Sequence, residues 1–375
     1  MENSFTFSSC YFERYYTNEQ LAIFGLDMLG GLSRFYNYME NPFGRLFISF
    51  AGYWISDGFN TAFHEIGHGI RSKAFGGYYS LMNGNKREPD GTEDANFFKF
   101  LVKQLTLAPF KSAATYPILN NPSLYTNFIM IAAGMNNSVY FSEKISDELY
   151  SKGRIGVAEV IAYIYSKMSP IRYSSIEREE ARGGDPVLIE DIYKRAGISA
   201  TKDNIVFANT MSLLFSGTTY SIIAATFRDG SYYKNSGAYI KPLEYTGFRI
   251  PDLFSYITTR GISYKVVSGY KIKDDLRLIF GFEHIAYGNS ATEFSFGVDK
   301  VFHKYHNVSF KIVTTFGRGF NIEGTLSLPV HRRLSVNIGG ASYSTKSLLG
   351  ERHAVNMENG RVRSSNMFIS LSYKY

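Results

Sequence analysis

Near residue 240 the chain changes its hydrophobic period, and no single layer of secondary structure accommodates both textures. Downstream, apolar residues recur at every second position: Ile262-Tyr264-Val266, Leu276-Leu278-Phe280-Phe282, Phe294-Phe296-Val298, Val308-Phe310-Ile312, Ile322-Gly324-Leu326-Leu328 and Leu334-Val336-Ile338. Period two belongs to strands whose faces meet different surroundings, and the short polar connections describe an antiparallel meander of about seven or eight strands. Upstream, apolar residues bunch into the longer stretches 45–75, 124–141, 155–168 and 205–227, with a polar segment from Asn83 to Asn96 read as a loop. This half is predicted to be mainly helical. The expected fold class is α+β, a helical domain over residues 1–240 followed by an antiparallel β-domain over 241–375; a chain of 375 residues is long enough for two cores.

Within the helical half, Asp203 to Phe227 is long enough to span a bilayer as one helix, yet its Asn209, Ser212, Ser216 and Thr218 suit a buried core helix equally well. Aromatic residues reach 16%, with 29 Tyr, 31 Phe and a single Trp, which fits membrane-interface belts as well as β-structure. A Tyr-rich soluble β-sandwich is the alternative. The net charge of +7 comes from scattered Lys and Arg without a basic run, so the charge balance does not point to nucleic acid. The lone Cys10 excludes an intrachain disulfide and a Cys-ligated zinc site. The start, Met1-Glu2-Asn3-Ser4, lacks a basic region followed by an apolar core, so an envelope location requires a signal peptide already removed; otherwise that location is wrong.

The last segment places Met367, Ile369, Leu371, Tyr373 and Tyr375 on one face. It resembles the closing strand of bacterial outer-membrane barrels, and that resemblance implies a small membrane β-barrel or barrel-like sheet.

The chemistry-bearing motif is His64-Glu65-Ile66-Gly67-His68, an HExxH sequence inside a helical pattern. Two His four residues apart share one helix face and can hold one zinc ion, with Glu65 placed as general base toward a water activated by the metal. Asp57, Asn60, His64, His68 and Arg71 form one polar stripe along this helix. The remaining histidines, His284, His303, His306, His331 and His353, all lie in the β-region, so a third ligand from the helical half must be a carboxylate. The His303-Lys304-Tyr305-His306 segment reads as a polar turn.

Two carboxylates compete. Glu143-Lys144-Ile145-Ser146-Asp147 is similar to the second motif of gluzincin peptidases, which implies Glu143 as zinc ligand and Asp147 as support for a ligating His. His64 to Gly69, leading to Ala74-Phe75-Gly76, resembles the first motif of site-2-protease-like membrane metallopeptidases. Ala132-Ala133-Gly134-Met135-Asn136-Asn137 resembles their Ala-Gly-Pro-x-x-Asn segment, with Met135 replacing Pro. That resemblance implies a substrate-binding or oxyanion role for Asn136 or Asn137, and an Asp as third ligand. Asp185 stands in a suitable place, although Gly184-Asp185-Pro186 departs from the family's Leu-Asp-Gly context.

The functional expectation is zinc-dependent hydrolysis of a protein or peptide substrate at a cell-envelope membrane, the outer one favoured by the β-pattern and the inner one by the protease resemblance. The competing class is a non-enzymatic outer-membrane or envelope β-barrel protein, a channel, anchor or adhesin, with a structural or vestigial metal site.

Overall fold

A computed structural model gives the arrangement of residues 4–9, 18–83, 86–87, 97–106, 113–176, 184–228, 239–303, 307–331, 334–344, 346–353, 356–358 and 361–374. Cys10, Gly183, Tyr375, residues 304–306 of the polar turn and residues 88–96 of the polar segment lie outside the described residues.

The elements run β1 (Ser4–Ser9), α1 (Asn18–Tyr38), α2 (Pro42–Ala74), β2 (Tyr78–Asn83), β3 (Lys86–Arg87), α3 (Phe97–Thr106), β4 (Ala113–Ile118), α4 (Leu124–Lys152), α5 (Val157–Ser175), α6 (Asp185–Arg195), α7 (Lys202–Leu214) and α8 (Gly217–Arg228). Then follow β5 (Glu244–Tyr245), β6 (Phe248–Arg249), β7 (Asp252–Thr258), β8 (Gly261–Lys273), β9 (Leu276–Gly288), β10 (Thr292–Phe302), β11 (Val308–Phe316), β12 (Phe320–His331), β13 (Leu334–Tyr343), α9 (Leu348–Arg352), β14 (Asn356–Glu358) and β15 (Arg361–Lys374). The fold is α+β, and each alternating set read from the sequence lies on a strand of one antiparallel sheet.

Local signals set the helix ends. Asn41 caps α2, its side chain accepting from Phe43 N at 2.9 Å, and Pro42 fills the first turn where no backbone donor is needed. Ser123 caps α4, which stops at Gly153 with φ +70, a conformation glycine adopts without penalty. The 203–227 stretch is two helices rather than one. The buried carboxylate of Asp252 on β7 accepts from Ser216 Oγ at 2.6 Å and Thr218 N at 2.8 Å, fixing a break between α7 and α8. None of the described helices is long and apolar enough to cross a membrane.

Helices α1, α2, α4 and α5 enclose the main core, in which Phe59, Phe63 and Phe141 are fully buried, with the Phe59 and Phe141 rings 4.8 Å apart. A small sheet in the order β3-β2-β4, which the sequence did not announce, lies against α2 and ties to it through a hydrogen bond from Thr115 Oγ1 to the Glu65 carbonyl.

The large sheet follows the order β1-β15-β13-β12-β11-β10-β9-β8-β6-β5, with β7 also pairing β8, and its described pairings do not close into a ring. β1 precedes all the helices yet pairs with the last strand, Phe5 opposite Tyr373. The helical half therefore enters the chain between the first strand of the sheet and the rest.

One face of this sheet is apolar and exposed, and the other is polar and largely covered. Phe280, Phe282, Phe294, Phe296, Phe310, Ile338 and Ile369 are exposed. They meet across the strands, Phe282 opposite Phe294, Phe280 opposite Phe296, and Ile338 opposite Ile369. The other face buries Ser263, Glu283, Glu293, Thr315 and Asn321. There Arg352 of α9 holds Glu283 at 2.5 and 2.7 Å, and α4 brings Glu143, Lys144 and Asp147 over a cleft of about 760 Å³, open mouth included.

Groups of the helical half occupy the edge of β7, and the residue just before it, on the side away from β8. Asn136 of α4 donates to Ile257 O at 2.8 Å and accepts from Ile257 N at 2.9 Å, as a neighbouring strand would. Lys167 Nζ donates to Leu253 O at 2.5 Å, and Gly217 N to Pro251 O at 2.9 Å. An edge so occupied is closed to strand addition.

Candidate metal centre

The HExxH helix is α2, and helical periodicity does what the spacing predicts: the His64 and His68 rings lie side by side, centroids 5.1 Å apart. Asp185, first residue of α6, meets them both, its Oδ2 lying 3.1 Å from His64 Nε2 and 3.2 Å from His68 Nε2. Two donors sharing a tetrahedral zinc at about 2.0–2.1 Å stand roughly 3.3 Å apart, so the cluster has the spacing of a metal site. All three ligand atoms lie within 4.8 Å of one another.

The surroundings hold these side chains. His68 Nδ1 lies 2.7 Å from the Met130 carbonyl of α4, so Nδ1 carries a proton and Nε2 is the nitrogen that faces the cluster. Gly134, one turn on along α4, clears space for both rings: a Cβ there would lie 2.4 Å from His68 Nε2 and 2.5 Å from His64 Nε2. Gly67 allows α2 and α4 to approach this closely, since its Cβ would strike Asn137 Nδ2 at 2.6 Å. Tyr173 of α5 packs edge-on against His64, and its hydroxyl accepts from Asp185 N at 3.2 Å, anchoring the first turn of α6. Neither Tyr173 nor Met130 carries a sequence signal for this role, because each acts through a tertiary crossing; Gly134 lies in the Ala132–Asn137 segment singled out above, but for its asparagines rather than for the space it clears.

The electrostatics are those of a tight acid–base cluster. Burial works against a charged His68, but the charge and hydrogen bond of Asp185, aided by Glu65, outweigh it and raise His68 to about 9. Burial likewise opposes ionisation of Asp185, and the two histidines override it, holding the carboxyl far below the usual carboxylate range. Glu65 is buried beside the cluster, and among the described residues no hydrogen bond holds its carboxylate.

Between the two carboxylates named as third ligand, the structure brings Asp185 to the histidines and sends Glu143 elsewhere. Glu143 accepts from Tyr256 Oη and Lys265 Nζ, both at 2.5 Å, over the polar face of the sheet. It follows Gly134 by nine residues on the same helix, about 13 Å along the axis. Among the described residues Asp147 supports no histidine; it faces Arg249 at 3.5 Å and Lys311 at 3.7 Å. Asn136 has its amide committed to β7, and Asn137 Nδ2 donates to Phe63 O at 2.9 Å, joining α4 to α2 just before the motif. Farther up the α2 stripe, Asp57 accepts from Tyr165 Oη and Asn60 accepts from Ser166 Oγ, so that part of the stripe docks α5.

Comparison with models of protein families, with curated proteins and with solved structures yields no match.

Proposed function

We propose that the chain is a membrane-associated, zinc-dependent peptidase in which His64, His68 and Asp185 hold the metal and Glu65 is the general base. The observation that carries this reading is the arrival of Asp185, 121 residues beyond His64 in the chain, at the two imidazoles of an HExxH helix. An ion pair alone accounts for one imidazole and one carboxylate. It leaves unexplained a second imidazole at the same oxygen and the space cleared by Gly134.

Two imidazoles and one carboxylate suit zinc, and three protein ligands leave a fourth position open, as catalytic sites require. Zinc held there supplies Lewis-acid polarisation of a carbonyl and makes water acidic near neutral pH. Glu65 takes the proton from the attacking water and passes it to the departing amine. Tyr173 and Met130 keep Asp185 and His68 in register. Asn136 and Asn137, expected near the substrate, serve instead as struts of the α4 crossing.

The sheet is the membrane part of this proposal. An outward face of Phe and Ile with charge on the inner face is the pattern of an outer-membrane wall, in which lipid takes the place of a hydrophobic core.

The test is metal content of the purified chain beside His64→Ala and Asp185→Ala, followed by cleavage of an unstructured protein. One zinc per wild-type chain, none in either variant, and zinc-dependent cleavage are expected. A metal-free wild type after zinc-replete purification sinks the proposal, and zinc without cleavage reduces the site to a structural one.

A further inference from the structure

The outward apolar face does not end with the sheet. Tyr264, in the outward-facing set of β8, packs against a cluster that joins Ile257 and Ile262 of the sheet to Ile205 and Ala208 of α7. Helix α7 thus continues the outer surface of β8. It buries Ile205, Ala208 and Ser212 and turns Phe207, Leu214 and the adjoining Phe215 outward, at 50, 50 and 57% exposure. The next helix repeats the arrangement with Tyr220, Ile223 and Phe227, the last 83% exposed. No Asp, Glu, Lys or Arg occurs from Asn204 to Phe227. Two consecutive surface helices that carry an apolar outer stripe and confine their charges to the outer ends, Lys202 and Asp203 at one and Arg228 at the other, are poorly suited to water, since charge is what a soluble surface normally supplies.

We infer that α7 and α8 lie in the same bilayer as the sheet, with Phe207, Leu214 and Phe215 seated among lipid acyl chains. This rests on the membrane reading of the sheet and extends it to the helical half. α7 has 13 residues, about 20 Å of helix, too short for a hydrocarbon core of about 30 Å. It therefore lies along the interface rather than across it. Lipid is favoured over a second copy of the chain because the stripe is continuous with the outward face of the sheet, which meets lipid in the same reading. The cluster beneath α7 also contains Ile189 of α6, the helix that begins at Asp185, and Met135 of α4, next to Gly134. The metal centre is thereby tied to the membrane boundary, and the substrate class becomes polypeptide segments presented at the bilayer surface.

The experiment uses the full chain carrying Glu65→Gln and Cys10→Ser, with one fluorophore-labelled cysteine at a time. The sites are Phe207→Cys and Phe215→Cys for the inference, Phe296→Cys for the sheet, and Lys194→Cys on the exposed polar part of α6. The chain is placed in phosphatidylethanolamine–phosphatidylglycerol vesicles containing lipid-borne nitroxide, with iodide as aqueous quencher. Positions 207, 215 and 296 are expected to be quenched by the nitroxide lipid at least about twofold more than position 194. Quenching at 296 with 207 and 215 behaving like 194 overturns the inference and leaves the membrane sheet standing. Absence of lipid quenching at 296 as well overturns both. Shielding of 207 and 215 from iodide without lipid quenching assigns the surface to a second copy and overturns it too.

Discussion

In the helical half, Phe59, Phe63 and Phe141 pack on one another with no exposure, whereas in the sheet Phe280 packs on Phe296 and Phe282 on Phe294 at the surface, rings 5.8 and 5.3 Å apart. The polar residues differ as well. In the helical half the buried polar side chains, among them Asn60, His68, Arg71 and Lys167, are set among apolar core residues, while on the polar face of the sheet Lys265, Glu283 and Lys311 gather with Glu143, Lys144 and Asp147 around one cleft. The contrast teaches that hydrophobic period reports which residues share a face, and not which face meets water.

The sharpest way to separate the two interiors is to remove one charge from each. Glu65→Gln is expected to lower peptide hydrolysis by about 10²- to 10⁴-fold, the range of a lost general base. Zinc stoichiometry and melting temperature should stay at wild-type values. Loss of zinc along with activity would remove Glu65 from the role of base.

In the sheet the corresponding change is structural. Arg352 and Glu283 are both almost fully buried and joined by two hydrogen bonds. Arg352→Met leaves the Glu283 carboxylate buried without its partner, which costs about 3–5 kcal/mol. Urea unfolding of the metal-loaded chain measures this. A change below about 1 kcal/mol, the scale of an exposed pair, would mean that water reaches the pair and the interior is open.

The site itself tests how helices make room for a metal. Gly134→Ala places a methyl group against both Nε2 atoms. Zinc affinity should fall by about a hundredfold, the upper range for disturbed ligand support. The overlap is present without metal as well, where overpacking costs about 1–3 kcal/mol against the about 1 kcal/mol that alanine gains over glycine inside a helix, so the metal-free protein should melt only slightly below wild type. Competition with a chromophoric chelator, set beside thermal melting, distinguishes a blocked site from a damaged helix.

These residues also mark what the sequence made legible. The strands from β8 to β13 and β15 were legible because alternation survives whichever face is covered, and His64 and His68 because i,i+4 spacing is local. Asp185 was one of two candidates. Glu143 and Asp147 shared the spacing of a ligand and its support, but helix rise carries them away from Gly134 toward Lys265, Arg249 and Lys311. The pairing of β1 with β15 was not legible, since nothing local links strands at opposite ends of a chain. The break at Ser216 was hidden for the same reason: its partner, Asp252, comes from a strand.

The smallest predicted effect has a sign that the metal reverses. In the metal-free chain His68 holds its proton up to about 9, against about 6.5 for an unfolded histidine. The pair with Asp185 therefore stabilises fully below about pH 6.5, and that contribution is lost as pH rises through about 9. Zinc needs the lone pair of Nε2 and must expel this proton, so its affinity should rise about tenfold per pH unit between roughly 7 and 9. With zinc bound, the folded and unfolded states both carry a neutral imidazole over that window, and the His68 contribution is level. Asp185 adds no slope there, because its carboxyl is ionised throughout. Melting curves from pH 6.5 to 9 should fall for the chelator-treated chain and stay level for the zinc-loaded one. Parallel curves would mean that His68 is not the group zinc deprotonates, and the comparison would then rest on Asp185 and His64 alone.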